Sequence, residues 1–402
     1  MSAATIPCAP TFADDTTEIL NGQINLDAAI SVTVSGTTTE ADTASLTAIG
    51  AANALTVDVV TPHDVTSTQD FSGSVATSAA TNATRIDGTA LTTSSAMGNA
   101  ASIIVDDGMD VVSTQTAQDG SDVSSEATLN VNSYVIRSVT TASASANAIE
   151  TIAYGGSNDL DLRQSSGANV AANATVNAQT AGLGWASTTL AAANGNSISS
   201  EGYDASSQIM DVDQDNTGNV TATTRVDAGG TAVVGQAIAS ANGNAARIQN
   251  EDGYAHMQGE QDNSGQVTAD SEILVGNFDI DVLTISSEGV GNSAVISNIG
   301  ADAYMGLDQN NTGGVNARAN FDGNEGGSAL VSATAFGNAA TTYICSECPV
   351  TAWGRTNQVN SAAISSVVTG QMNNGGMLSG TATAIGNSAT YQTVNPYTGD
   401  GG

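Results

Sequence analysis

The sequence predicts an all-β protein, an elongated repeat β-solenoid in which strand-turn-strand units form a stacked array. Three observations indicate this class: an Asn-centred motif at a nearly constant interval, a period-two alternation of small apolar and hydroxyl residues, and a composition rich in Ala, Thr, Val, Gly and Asn. Thr and Val favour strands, whereas Gly and Asn favour turns. Because 40% of the residues are hydrophobic but only 4% are aromatic, the core must consist of small side chains.

The first motif consists of Gly or Ala, then Asn, then a small residue. Its Asn residues are Asn53, Asn99, Asn147, Asn196, Asn244, Asn292, Asn338 and Asn387. Successive numbers differ by 46, 48, 49, 48, 48, 46 and 49, which is the self-similarity of a repeat array. The pattern predicts that these amides stack into a structural ladder. Where a Gly precedes the Asn, it is expected at positive φ in a tight turn.

A second motif, of the type Gln-Asp-Asn-Thr-Gly, lies between the copies of the first. Its best copies start at Gln214, Gln261 and Gln309, which we assign to the structural ladder as well; weaker copies start at Gln69, at Gln115 or Gln118, at Gln164 and at Gln358. The likeness of the two motifs predicts two half-units per repeat, each a strand, a turn and a strand. Roughly sixteen stacked half-units, spaced by ~4.8 Å, would form an array about 80 Å long.

The expected organisation has three parts. Residues 1–30 form an N-terminal cap segment, residues 31–391 form the repeat array of about eight units, and residues 392–402 form a flexible C-terminal tail. A loop at 341–356 interrupts the array and carries Cys345 and Cys348, which are either a local disulfide or a pair of thiols; Cys8 has no counterpart.

The charge of the chain restricts its partners. It has 7 Lys and Arg residues against 40 Asp and Glu residues, a formal net charge of -33. Such a negative field repels nucleic acid and anionic lipid, and it keeps the chain soluble. No run of 18 apolar residues predicts a transmembrane helix, and no signal peptide is visible in the chain. The surface-protein character of the sequence suggests a mature, exported form.

The residues do not predict an enzyme. Lys is absent, His63 and His256 are isolated, and no nucleophile elbow, P-loop or HExxH motif occurs. No cofactor is expected, with calcium as the one candidate ion. Asp211, Asp213 and Asp215 are spaced like the start of a calcium loop, but no Glu stands at its closing position, and an acidic turn is the favoured interpretation.

Three tyrosines precede the strong copies of the Gln motif. Tyr203, Tyr254 and Tyr304 recur at intervals of 51 and 50 residues. The spacing predicts a column of rings. Such a column either stacks along the array or contacts sugar rings.

The alternating Gln and Gly-Asn motifs resemble those of curli-like functional amyloid subunits. The longer repeat, the acidic Ala- and Thr-rich composition and the size resemble the HfaD family of holdfast anchor proteins of stalked alphaproteobacteria, over residues 18–391. The resemblance implies a non-enzymatic protein at the extracellular or outer-membrane surface. There it would fasten an adhesive polysaccharide, the holdfast of a biofilm-forming cell, with sister surface subunits or copies of itself as partners. The alternative is an independent carbohydrate-binding adhesin, or a module of a phage or surface-layer fibre.

Overall fold

The protein forms a parallel β-solenoid. The structure is a computed structural model that describes residues 17–59, 63–106, 108–178, 182–232, 235–278, 282–347 and 349–394. In these ranges the regular elements are all β-strands, joined in one sheet of 17 strands, so the predicted all-β solenoid is confirmed. In chain order the strands are β1 (Thr17–Val59), β2 (His63–Asp106), β3 (Met109–Ala117), β4 (Asp122–Tyr154), β5 (Ser157–Ser166), β6 (Asn169–Ala178), β7 (Gly182–Tyr203), β8 (Ser207–Asn216), β9 (Val220–Ala232), β10 (Gly235–Glu251), β11 (Ala255–Asn263), β12 (Val267–Phe278), β13 (Val282–Ile299), β14 (Ala303–Asn311), β15 (Val315–Cys345), β16 (Ala352–Asn360) and β17 (Ile364–Val394).

The strand register divides the described chain into eight rungs, each of which is one turn of the solenoid. Asn99 pairs in parallel with Asn53 on one side and with Asn147 on the other, and the later motif Asn residues continue this register. Rungs 1 to 8 are residues 17–59, 63–106, 109–154, 157–203, 207–251, 255–299, 303–345 and 352–394. One repeat of the sequence is therefore one rung.

The two halves of a repeat face each other across the core instead of stacking. In rung 2 the chain runs out along residues 63–86 and returns along residues 89–106. Gln69 Nε2 donates to Ala100 O across 3.0 Å, and the hydroxyls of Thr77 and Ser94 are 2.7 Å apart. The predicted stack of sixteen half-units is therefore wrong. Eight rungs spaced by ~4.8 Å give roughly 35 Å from the first rung to the last.

Two apolar cores lie between the outgoing and the returning layer. The larger core contains Phe71, Leu129 and Phe321 among many Ala and Val residues. The smaller core, formed by the first and the last part of each rung, contains Ile103 and Met210. Side chains alternate between buried and exposed along the strands, as in β3, because successive residues of a strand point to opposite faces.

The predicted segments correspond only partly to structural elements. Residues 17–30 belong to β1 and form part of the first rung, whereas residues 1–16 and 395–402 lie outside the described residues. The loop predicted at 341–356 is shorter, because β15 continues to Cys345 and β16 begins at Ala352. Cys345 is half-buried, and Cys8 and Cys348 lie outside the described residues, so the disulfide stays a prediction.

In the part of the chain that the structure describes, no helix has the length and apolar character needed to cross a membrane.

Candidate functional site

The eight motif Asn residues form one continuous ladder along the solenoid. Each Nδ2 donates to Oδ1 of the Asn on the following rung, and all seven of these distances are 2.8 Å. The second hydrogen of Nδ2 reaches across the core, as from Asn99 to Thr116 O at 2.8 Å. The six inner Asn side chains, from Asn99 to Asn338, are fully buried, so their amides depend on these partners.

The Gln residues form a second ladder on the facing layer. Gln23, Gln69, Gln115, Gln164, Gln214, Gln261, Gln309 and Gln358 are linked by Nε2 to Oε1 hydrogen bonds of 2.7–2.9 Å. Each Gln also donates to the carbonyl that follows the Asn of its own rung, as Gln214 does to Ala245 O at 3.0 Å. Gln115, not Gln118, is the member from rung 3, because Gln118 is exposed and donates to Asp70.

The two ladders run in opposite directions and together form what we call the amide wall. Every Asn donates towards the C-terminal end of the solenoid, and every Gln donates towards the N-terminal end. The wall lies between the two apolar cores, since Asn99 falls between Ala96 of the larger core and Ala101 of the smaller one. A buried polar group is costly unless its partner is correctly placed. The amide wall therefore fixes the register of every rung.

The structure contains a third ladder that was not predicted from the sequence. Asn216, Asn263, Asn311 and Asn360 are linked by Nδ2 to Oδ1 hydrogen bonds of 2.7–2.8 Å. Each lies two residues after a ladder Gln, on the same face of its strand, and this spacing in the second motif was the signal that could have identified it.

The third ladder explains the Gly before the motif Asn. The Asn motif lies inside a strand rather than in a turn, and Gly243 does not have positive φ, so the predicted tight turn is wrong. A Cβ on Gly243 would overlap Asn263 Oδ1 and would lie 2.6 Å from Gly291 O. Glycine is needed here because two ladders approach each other closely.

The predicted calcium ligands lie on a strand rather than in a loop. Asp211, Asp213 and Asp215 are alternate residues of β8, and all three point to solvent on the outer face. Alternate residues of a strand are about 7 Å apart, so the three carboxylates do not converge. Among the described residues, no group of three or more His, Cys, Asp or Glu side chains could hold a metal ion. Calcium binding stays a prediction.

Carboxylates from neighbouring rungs crowd this outer face. Burial, together with Asp262 and Asp213, raises the pKa of Asp215, and Asp262 raises the pKa of Glu260. Burial likewise raises the pKa of Asp110 and of Asp270. A raised pKa means that the folded state binds protons more tightly than the unfolded state.

We expect the solenoid to become more stable as the pH falls from 7 towards the pKa of unfolded carboxylates, about 4. The added stability is fully present below the pKa of the carboxylates in the unfolded chain. It is lost as the pH rises through their raised pKa values in the folded protein. Burial lowers the pKa of His256, which opposes the gain below pH ~6.5. Thermal melts at constant ionic strength test the expectation, with Asp215→Asn removing part of the pH dependence and the exposed Asp58→Asn serving as control. A melting temperature that falls steadily towards acid pH contradicts it.

An aromatic patch lies beside the acidic face. It comprises Tyr254, His256, Tyr304 and Trp353, whose ring centroids are 4.8–6.1 Å apart. His256, Tyr304 and Trp353 occupy one register position on rungs 6, 7 and 8, and Trp353 is 40% exposed. Such rings give a flat apolar surface with polar edges.

The predicted single column of tyrosines is wrong. Tyr203 pairs and stacks with Tyr154 at 5.5 Å, whereas Tyr304 pairs with His256. Tyr254 precedes β11 and lies outside its strand. The intervals of 51 and 50 residues were already too long for the register of the motif Asn residues.

A parallel solenoid held together by amide ladders is a structural repeat protein. A family model of HfaD, holdfast attachment protein D, matches residues 38–314. The match covers more than half of the chain, and the chain belongs to this family, which confirms the resemblance. Family membership indicates a role in holdfast attachment at the cell surface or envelope. No curated protein and no solved structure matches the chain.

Proposed function

We propose that the protein is a non-enzymatic anchor at the extracellular, outer-membrane surface, and that it fastens the adhesive holdfast polysaccharide to the cell together with sister surface subunits. The aromatic patch is its contact with the polysaccharide. Family membership supports the role in attachment, and the patch is the single observation that supports a carbohydrate contact.

The chemistry of the patch suits a sugar chain. The apolar faces of sugar rings stack on aromatic rings, while their hydroxyls need polar partners at the rim. Asp308 and Asn357 occupy the same outer face, four residues beyond Tyr304 and Trp353 on rungs 7 and 8. Because rungs 6 to 8 each contribute a ring, the patch extends along the solenoid axis and can follow an extended polymer.

We expect the triple substitution of Tyr254, Tyr304 and Trp353 by Ala to reduce holdfast retention on cells. Each ring contributes about 0.5–1.5 kcal/mol, so binding should weaken at least ~10-fold. The measurements are the fraction of cells that retain holdfast and the binding of the purified chain to isolated holdfast polysaccharide. The control is Tyr203→Ala, which removes a stacked ring outside the patch.

The outcomes distinguish the alternatives. Normal retention by a triple variant that folds and reaches the surface contradicts the patch as the contact. If the purified wild-type chain binds polysaccharide but its deletion leaves holdfast retention unchanged, an independent adhesin is favoured. Trp353→Phe keeps a flat ring and should retain most of the binding.

A further inference from the structure

The two end faces of the described solenoid are incompletely covered. Ile30 on rung 1 and Ile364 on rung 8 pack against the larger core but are only partly buried. Among the described residues, rungs 1 and 8 carry ten of the seventeen exposed large hydrophobic side chains: Leu20, Ile24, Leu26, Ile49, Trp353, Val359, Val367, Met377, Leu378 and Tyr391. Neither rung contains a Pro or a Lys, residues that commonly block edge strands.

Each end face also presents backbone groups for another parallel rung. At one position of the register, the N–H of Val170, Val220, Val267 and Val315 donates to a carbonyl of the following rung at 2.8–3.1 Å. Ile364 holds this position on rung 8, and no described rung follows it. The C-terminal face therefore carries the donors of a parallel pairing, in the spacing that the preceding rungs use.

The amide ladders give the end faces complementary hydrogen-bonding groups. Asn387 on rung 8 and Asn53 on rung 1 have the same register, and so do Gln358 and Gln23. Because Asn residues donate towards the C-terminal end, Asn387 Nδ2 would meet Asn53 Oδ1 of a copy stacked beyond it. Because Gln residues donate the opposite way, Gln23 Nε2 of that copy would meet Gln358 Oε1.

The third ladder fits the same junction. Its last member, Asn360, corresponds in register to Asn25 of rung 1, although rungs 2, 3 and 4 have Phe71, Ala117 and Ser166 there. In a stacked copy, rung 1 would lie against rung 8, and its Asn25 would therefore face Asn360. All three amide ladders continue across the junction in their own directions.

An apolar pair marks the junction on the outer face. Ile24 is 71% exposed on rung 1, and Val359 is 50% exposed at the same register position on rung 8. The six rungs between them have polar residues at this position, namely Asp70, Thr116, Ser165, Asp215, Asp262 and Asn310. Stacking of two copies would bury Ile24 against Val359.

The charges of the end faces favour unlike ends. Rung 1 has five acidic residues, Glu18, Asp27, Glu40, Asp42 and Asp58, and no basic residue. Rung 8 has no acidic residue and carries Arg355, in a chain whose net charge is -33. Two N-terminal faces repel each other, whereas an N-terminal and a C-terminal face do not.

We propose that copies of this chain stack head to tail, with rung 1 of one copy paired in parallel on rung 8 of the next. The junction repeats the internal rung-to-rung contact, with the amide ladders in register and Ile24 on Val359. The proposal rests on the end faces and not on the polysaccharide contact, so either can fail without the other. A heterologous contact of this kind generates open fibres when its rotation does not close a ring.

The test uses two end-blocked variants of the full chain. The head variant carries Ile24→Asp and Ile49→Asp on rung 1, and the tail variant carries Val359→Asp and Val367→Asp on rung 8. Internal rungs already have acidic residues at each of these register positions: Asp215 at the position that Ile24 and Val359 share, Glu288 at that of Ile49, and Asp270 at that of Val367. The fold therefore tolerates the substitutions, while between copies each added carboxylate must be desolvated. The exposed Val112→Asp on rung 3 is the matched control.

Sedimentation velocity and electron microscopy measure assembly from about 1 to 200 µM, the range in which modest contacts show. Wild type and Val112→Asp should form particles that lengthen with concentration, and both end-blocked variants should lose association at least ~10-fold. An equimolar mixture of the head and tail variants should form dimers and nothing longer, because only one head and one tail are intact.

Three results overturn the proposal. One is a wild-type chain that does not associate with itself at any concentration in the range. This result counts against the proposal even if the chain stacks on a different surface subunit. Another is a pair of end-blocked variants that assemble like wild type. The third is a mixture that gives no dimer although each variant keeps the wild-type melting temperature.

Discussion

Asn196→Ala should lower the free energy of unfolding by about 3–5 kcal/mol, since each buried polar group left without a partner costs about 1–3 kcal/mol. Asn196 Nδ2 donates to Asn244 Oδ1 and to Asp215 O, and its own Oδ1 accepts from Asn147 Nδ2, all at 2.8 Å. Alanine removes three hydrogen bonds at once in the fully buried amide wall. Urea denaturation followed by circular dichroism measures the loss.

Asn387→Ala is the matched control for the ladder prediction. Asn387 is exposed on the last rung and accepts from Asn338 Nδ2 at 2.8 Å. Water can replace an exposed amide, so the loss should stay below ~1 kcal/mol in dilute solution. Equal losses for the two variants would mean that the ladder contributes no more inside the array than at its end.

Gly243→Ala should destabilise the protein by roughly 2–3 kcal/mol, at the upper end of the usual cost of overpacking. The added Cβ overlaps Asn263 Oδ1, which accepts from Asn216 Nδ2, and lies 2.6 Å from Gly291 O, so neither atom can move without breaking a hydrogen bond of the ladder or of the sheet. Thermal melts of the purified variant measure the loss, and its far-ultraviolet spectrum shows whether the strands persist.

Gly22→Ala is the corresponding control. A Cβ on Gly22 meets no heavy atom within 4 Å, and its φ is not positive. Ala there should leave stability within ~0.5 kcal/mol of wild type, or raise it slightly by restricting the unfolded chain. If Gly243→Ala were as well tolerated as Gly22→Ala, close approach of the ladders would not explain why Gly recurs before the motif Asn in this chain.

The sequence was sufficient to predict the Asn ladder, because its regular interval is itself the register of a parallel array. It was not sufficient to place the two halves of a repeat. Two similar motifs fit equally well whether the half-units stack on each other or face each other across a core, and only a contact such as that between Gln69 and Ala100 decides.

The Gly before the motif Asn shows a second limit. Glycine usually indicates a turn, but Gly243 is required because Asn263 of the third ladder, on another rung, leaves no room for a Cβ. No local pattern reports such an approach. The aromatic patch has the same origin: Tyr304 and Trp353 are 49 residues apart and meet only because their rungs are adjacent.

The pairing of each rung with only its immediate neighbours has a kinetic consequence. Every pairing between adjacent rungs closes a loop of about one repeat, however long the array, so the entropy of loop closure does not grow with chain length. Folding can start in any adjacent pair and spread in both directions like a zipper. Amide hydrogens near rungs 4 and 5 should consequently exchange with solvent more slowly than those of rungs 1 and 8, where the zipper opens first.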